Sequence, residues 1–508
     1  MCPHIKTTNP LGVVIKQSSI SGIVTYLGAF IGFVNTVVLF PAFLSTEEVG
    51  LMRVLPSIAF MLLPMVQLGA TQALIRYAPE FKKKPEGLPQ LLGLIAIGVL
   101  IGATLVATVL FAFQRQFVRM FEENAALIND YLYAIAALIF LVGLYSFFET
   151  YCRVLLKIIV MNVIKEILLR VMTSILVSLY FLHYLSLDGM INGLILIYAV
   201  SLALLIGYIV YLRQFRFTFR FDTLDPQQIK TIANYSLFSM VGASGTYIIL
   251  NIDQLMVSNM LGLEANGIYT TSFFFAVMIE LSKRAILQIT TPLISESFEN
   301  NRLDEIQKMH RQLSINQMLV GSLFFIGIVA NLDNIYALMP NGDIYAAGKY
   351  IIILIGISKL IDMTFSNNNV IIVMSKHYRF NVVSILCLSV LLILLNWLLI
   401  PLYGINGAAL GTLIAVAVFN LVKMIFIKWK FNITPFTLNT VKMLAIFAAV
   451  LLPALYIPQL PNPYWDIVLR SSFISLLMAI LVLSFRVSAE VTGIYNKYIR
   501  HKLPGYRA

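Results

Sequence analysis

Charge is what this sequence has least of. Only 12% of its 508 residues are Asp, Glu, Lys or Arg, about half the share that a soluble globular protein carries, which excludes a water-facing globular fold. Cysteine is scarce as well. Cys2, Cys152 and Cys387 are far apart and form no CxxC pair, so neither a disulfide framework nor thiol chemistry is indicated. His4, His183, His310, His377 and His501 are equally dispersed, and no metal-ligand set is spelled out. No polar stretch between apolar runs is long enough for a sizeable soluble catalytic domain. The nearest approach to a nucleotide motif, GDIYAAGKY at 342–350, has five residues between its glycines instead of four and Tyr350 where Ser or Thr would hold magnesium, so it is no ATP site.

What the chain does have is apolar length. Runs of about 20 residues, enough to cross roughly 30 Å of hydrocarbon, recur almost to its end. They predict an all-α polytopic membrane protein with about fourteen spans: 18–42, 50–76, 90–113, 128–150, 156–182, 190–212, 233–258, 266–293, 313–331, 349–374, 380–400, 406–427, 440–459 and 467–486. The fifth, with Lys165, Glu166 and Arg170, is the least hydrophobic. The first apolar run is too long for a signal peptide and lacks a small-residue cleavage site, so it reads as a retained helix. The net charge of +12 is not a nucleic-acid signal here, because Lys and Arg collect in the cytoplasmic loops of membrane proteins. Basic residues crowd alternate loops, as at Lys82 to Lys84 and at Arg213, Arg216 and Arg220, whereas STEEVG (45–50) and LGLEANG (261–267) have none. Both termini are therefore expected in the cytoplasm.

The sequence repeats itself weakly. LSTEEVG (44–50) aligns with LGLEANG (261–267), and at that spacing Ser19, Gly28 and Ile31 meet Ser236, Gly245 and Ile248. LDGMING (187–193) resembles LYGING (402–407). Six spans separate the copies each time, and an even number gives both halves the same orientation, the arrangement of parallel repeats. The expected organisation is a cytoplasmic segment (1–17), a six-helix bundle (18–213), a basic connector (214–232), a second six-helix bundle (233–430), two further spans (431–487) and a basic tail (488–508).

Seven ionisable residues inside the spans are candidates: Arg53, Asp253, Glu280, Lys283, Arg284, Lys359 and Asp362. A bare charge there costs about 3 to 10 kcal/mol, and such residues default to functional candidates. Glu280 stands three and four residues before Lys283 and Arg284, where an intrahelical ion pair can form, so a structural role competes with a wall facing water. Arg53 and Lys359 also admit snorkelling or capping, and Asp253 a packed pair. Arg53, Lys283, Arg284 and Lys359 suit an anion rich in oxygens such as a pyrophosphate. A buried carboxylate such as Asp253 can take a proton or Na⁺. Glycines four apart in GAFIG (28–32) and GAALG (407–411) read as close helix contacts.

Three stretches, SGIVTYLGAFIGFVNTVVLFPAFLSTEEVGLMRVL (21–55), NIDQLMVSNMLGLEANGIY (251–269) and IPLYGINGAALGT (400–412), resemble the pattern of the multidrug, oligosaccharidyl-lipid and polysaccharide exporter superfamily in its polysaccharide-biosynthesis branch. That resemblance implies two six-helix bundles around a central cavity, alternating access without ATP or other cofactor, and movement of undecaprenyl-pyrophosphate-linked sugars across a bacterial inner membrane. By the same analogy Arg53, Lys283, Arg284 and Lys359 line the cavity, Asp253 lies in the first helix of the second bundle, and polysaccharide polymerases are expected partners of a monomer. Two other readings stay open: a cation-coupled exporter of drugs or lipids on the same fold, and a membrane glycosyltransferase or polymerase. The latter is opposed by short outer loops without clustered acids.

Overall fold

A computed structural model describes residues 10–84, 86–121, 124–221 and 225–498; the side chains at 10–19, 284, 285, 288, 289, 494, 497 and 498 lie outside the described residues. Every regular element within them is a helix, as lipid demands of a chain that must satisfy its own backbone groups. The principal helices are α1 (Ile20–Phe43), α2 (Thr46–Gln67), α3 (Ala70–Phe81), α4 (Gly87–Ala112), α5 (Leu132–Val154), α6 (158–181) and α7 (Leu187–Tyr211). They continue as α8 (226–261), α9 (263–279), α10 (Leu281–Glu299), α11 (Leu303–Ala330), α12 (Lys349–Thr364), α13 (Asn368–Met374), α14 (Tyr378–Tyr403), α15 (Ile405–Phe431), α16 (Leu438–Tyr456), α17 (Pro463–Ser484) and α18 (Ala489–Tyr498). Packing divides the chain into two compact units, Met1–Thr270 and Thr271–Ala508.

Twelve helices among the described residues are long and apolar enough to cross a membrane, so the expected count of fourteen is not confirmed. The shortfall has local causes. The span expected at 156–182 carries three charges and is interrupted by a π-helical turn at Val163–Leu168. Pro226–Ile279 counts once, although Gly262, at φ 86° and ψ 173°, breaks it into α8 and α9. The span expected at 266–293 is interrupted at Glu280, where the bonds run from Glu280 N to Val277 O and from Lys283 N to Glu280 O, three residues apart as in a 3₁₀ turn.

Helix starts follow from capping chemistry. Ser45 Oγ accepts from Glu48 N at 3.2 Å while the Glu48 carboxylate accepts from Ser45 N at 2.8 Å, a reciprocal box that satisfies two donors at the head of α2. At Gly262 the reversal is complete. Asp253 and Tyr269 would lie about 24 Å apart along a straight helix, yet Tyr269 donates to Asp253 Oδ2 at 2.9 Å, so α8 and α9 form an antiparallel hairpin. Only glycine takes that dihedral pair without strain.

The first unit buries Val49, Val54, Leu55 and Ile58 of α2 against Ile135, Leu138 and Ile139 of α5 and Ile191 of α7. The second buries Ile315 and Phe325 of α11 against Met443 and Ile446 of α16 and Ile474 and Met478 of α17. The outward faces stay apolar: Phe30, Leu105, Leu398 and Leu476 are all more than half exposed, the surface that a bilayer covers.

Candidate functional site

The two copies of the repeated motif meet inside the first unit. A Cβ on Gly50 would lie 1.9 Å from Leu263 O, and one on Gly267 would lie 2.0 Å from Thr46 O. The spacing that sets Leu44 on Leu261 also sets Thr46 on Leu263 and Gly50 on Gly267, so each contact is the mirror of the other, as a local two-fold requires. Asn266 Nδ2 adds a bond of 3.3 Å to Gly50 O.

Around this contact lie two of the predicted residues. Arg53 on α2 donates from Nη2 to Thr36 Oγ1 at 2.7 Å and stands over the Phe40 ring, 5.2 Å from its centroid. One turn along, Ser57 Oγ donates to Gln254 Oε1 at 2.9 Å, which places the Arg53 turn of α2 beside Asp253. The Asp253 carboxylate is buried and accepts from Tyr269. The same repeat spacing sets Thr36 on Asp253 and Arg53 on Thr270. Equivalent hairpins therefore hold a cation in one copy and an anion in the other.

A second set of charges in this unit was read only as low hydropathy. Glu149, nearly buried, accepts from Arg153 at 2.6 Å and from Lys165 at 3.0 Å. Arg170 pairs with Glu166 at 2.9 Å and donates to Gly28 O. Gly28 and Gly32 make this approach feasible: a Cβ on the first would meet Glu166 O at 2.5 Å, and one on the second Arg170 Nη1 at 2.5 Å. The GAFIG glycines thus seat the charged helix α6 against α1 at a π-helical turn in each, Val163–Leu168 and Val34–Leu39. Asn35 in the α1 turn donates to Arg170 O at 2.9 Å and accepts from Ser174 at 2.6 Å.

The remaining predicted residues gather in the second unit. Glu280 does not form the intrahelical pair with Lys283 that the spacing suggested, because the helix breaks at Glu280 itself. Its carboxylate instead accepts Lys359 Nζ at 2.7 Å, both side chains about one quarter exposed. Lys283 pairs with Asp362 across α10 and α12. Lys359 and Asp362 do share one face of α12, as predicted, and each holds one charge of the 280–283 turn. The side chain of Arg284 lies outside the described residues. Asn420 on α15 completes the shell, donating to Asp362 Oδ1 at 3.1 Å. Beside it stands Lys423, which the sequence reading passed over. It is 1% exposed, donates to Asn369 Oδ1 at 2.8 Å and lies 3.8 Å from the centroid of the Phe419 ring. Asn420 and Lys423, three apart on an otherwise apolar helix, are the signal that could have found it.

The arrangement is a compact acid–base cluster: Glu280 and Asp362 against Lys283, Lys359 and Lys423. Each carboxylate bridges helices, and the lysines exceed them by one formal charge. Such a site can exchange one anion for another at Lys359 without exposing a bare charge to lipid. No group of three or more His, Cys, Asp or Glu able to hold a metal occurs among the described residues. The second unit also encloses a cavity of about 690 Å³ lined by Phe325, Ile353, Ile357 and Phe447, with Asp333, Lys349 and Arg470 as polar lining.

The chain is 26% identical over 197 residues to the probable low-salt glycan biosynthesis flippase Agl15 of Haloferax volcanii, a match covering 37% of this chain and 40% of that one. The match thus spans well under half of that curated relative. Among solved structures, the inward closed conformation of the lipid II flippase MurJ superposes with a TM-score of 0.74 at 14% identity, covering 95% of this chain and 100% of the other. An inward-facing multidrug resistance transporter of the MATE family superposes with a TM-score of 0.62 at 12% identity, covering 82% of this chain and 98% of the other. The fold is therefore the one that these two solved structures share. A family model described as polysaccharide biosynthesis protein matches residues 14–298, more than half of the sequence, and the chain belongs to that family.

Proposed function

We propose that this protein flips a lipid-linked oligosaccharide, carried on undecaprenyl pyrophosphate, from the cytoplasmic to the periplasmic leaflet of a bacterial inner membrane during polysaccharide assembly. The observation that carries this reading is the family match over residues 14–298; the flippase named among the relatives and the flippase among the fold neighbours support it. The chemistry of the cluster is compatible with such a cargo. A pyrophosphate offers several charged oxygens, and Lys359, about one quarter exposed, paired with Glu280 and lying over the Phe273 face, is a cation that a competing anion can reach. Arg53, Lys283 and Arg284 are the further candidates for that contact. In this scheme the carboxylates Glu280 and Asp362 hold the lysines in place until cargo arrives. Asp253 takes the coupling proton or Na⁺, and alternating exposure of the two bundles moves the cargo.

The test is to delete the gene and identify by mass spectrometry which lipid-linked intermediate accumulates on the inner leaflet. Build-up of an undecaprenyl-pyrophosphate oligosaccharide with loss of surface glycan is the expected result. Unchanged lipid intermediates together with new sensitivity to cationic drugs would favour a second reading, a multidrug exporter, for which the MATE-like fold is the specific support.

A further inference from the structure

Between α7 and α8 the sequence reads RQFRFTFRF over 213–221, three arginines and four phenylalanines with no acid. This segment is not helical, and it is not a loose loop either. Tyr151 Oη donates to Gln214 O at 2.6 Å, and Thr218 N donates to Pro89 O at 3.3 Å. Thr218 O fits so closely over Gly93 that a Cβ there would lie 2.1 Å away. Phe215 stacks on Phe148 with centroids 6.3 Å apart, and Phe217 packs edge-on against Phe148 and Tyr151 at 6.1 and 6.0 Å. Phe215 and Phe217 stand 4.8 Å apart, so alternate residues share a side, and Arg216 and Arg220 fall between the phenylalanines.

Its depth follows from where it is pinned. Phe148 lies six residues inside the end of α5 at Val154, and Gly93 six residues inside the start of α4 at Gly87. At 1.5 Å per residue both anchor points lie about 9 Å in from the helix ends, so the segment lies against the apolar helices, and an interfacial segment seats its apolar side about 5 to 10 Å into the boundary of headgroups and acyl chains. Phe219, 63% exposed, and Phe215, 46% exposed, each leave part of the ring uncovered by protein. Arg213, Arg216 and Arg220 are all exposed. Lys82 joins them at the end of α5, donating to Val154 O at 2.6 Å. The nearby acid, Glu149, is occupied by Arg153 and Lys165. Exposed arginines beside partly exposed aromatic rings at the ends of membrane-length helices fit one partner, an anionic lipid whose phosphate meets the guanidinium groups while its chains meet the rings.

We propose that residues 213–221 form a membrane-seated strap that binds the phosphate headgroups of anionic phospholipids in the cytoplasmic leaflet. The full-length protein is purified in detergent, and its retention of phosphatidylglycerol against phosphatidylcholine is read by native mass spectrometry, for the wild type and for an Arg216→Gln/Arg220→Gln variant. The wild type is expected to prefer phosphatidylglycerol, and the variant to lose on the order of 30-fold of that preference, since each arginine near an anionic surface contributes about a factor of five. An Arg216→Lys/Arg220→Lys variant is expected to keep most of it, and an unchanged melting temperature shows that the fold survives. Equal retention of both lipids by the wild type, or an undiminished preference in the glutamine variant, overturns the proposal. The assay involves no transport, and neither arginine belongs to the cargo cluster, so this inference and the flippase reading can fail separately.

Discussion

Replacing Asp362 by Asn removes the carboxylate that faces Lys283 and leaves that lysine, 9% exposed, with Asp362 O at 3.4 Å as its described acceptor. Removing one partner of a buried pair costs about 3 to 5 kcal/mol, because the other charge stays behind uncompensated. The Asp362 side chain is 29% exposed, which argues for the lower end, near 3 kcal/mol. Lys359 and Lys423 nearby add repulsion that the carboxylate had offset. The D362N protein should therefore lose its monodisperse peak at a clearly lower temperature than wild type when heated in detergent and passed over a sizing column. Replacing both partners, Lys283→Met with Asp362→Leu, removes the stranded charge, and apolar side chains of similar volume are often neutral at such sites. The double variant should recover most of the lost stability while still failing to export glycan in a deletion strain. A D362N protein as heat-resistant as wild type would refute the view that this pair is desolvated. A double variant no more stable than the single would refute the view that the stranded lysine is what causes the loss.

Three further outcomes are expected. Arg284→Ala should abolish surface glycan while the protein remains folded and inserted, as judged by membrane-fraction immunoblot and sizing profile; wild-type glycan in that strain removes Arg284 from the cargo site. Asp253→Asn should weaken the dependence of transport on the proton or sodium gradient in proteoliposomes, and an unchanged dependence excludes it as the coupling group. Gly50→Ala should be far more damaging to expression and thermal stability than Gly262→Ala. The first drives a methyl to 1.9 Å from the Leu263 carbonyl, whereas the second meets only the flexible Asn124 side chain at 3.2 Å, with a backbone penalty of about 1 to 3 kcal/mol.

Much of this architecture is legible in one dimension because a bilayer imposes a single rule, apolar length, on every crossing segment. The rule works for α4, α14 and α15, which carry few charges, and it fails where helices are interrupted for local reasons. Gly262 falls in the LGLEANG loop expected between two spans, whereas Glu280 breaks the ladder inside the span expected at 266–293. The intrahelical pairing suggested at 280–284 assumed an unbroken turn, and the break at Glu280 sent the two charges to different partners on α12. Lys423 was passed over for another reason. Near a helix end followed by Lys428 and Lys430 it gives no sign of burial in the sequence, and contact with Asn369, far away in sequence, joins the Phe419 ring in holding it inside. The reciprocal glycine contacts of the repeated motif were present in the alignment, but nothing in a linear string says that aligned segments also touch.

The wide turns of α1 and α6 each hold one residue more than α winding needs. Such a surplus shifts the phase of everything beyond it by about 100° relative to an uninterrupted helix. An apolar stripe traced from one end of either helix therefore slips to a different side at the turn. Deleting a single residue inside Val34–Leu39 should leave both flanking faces where they are, whereas the same deletion elsewhere in α1 would rotate half the helix out of its seat.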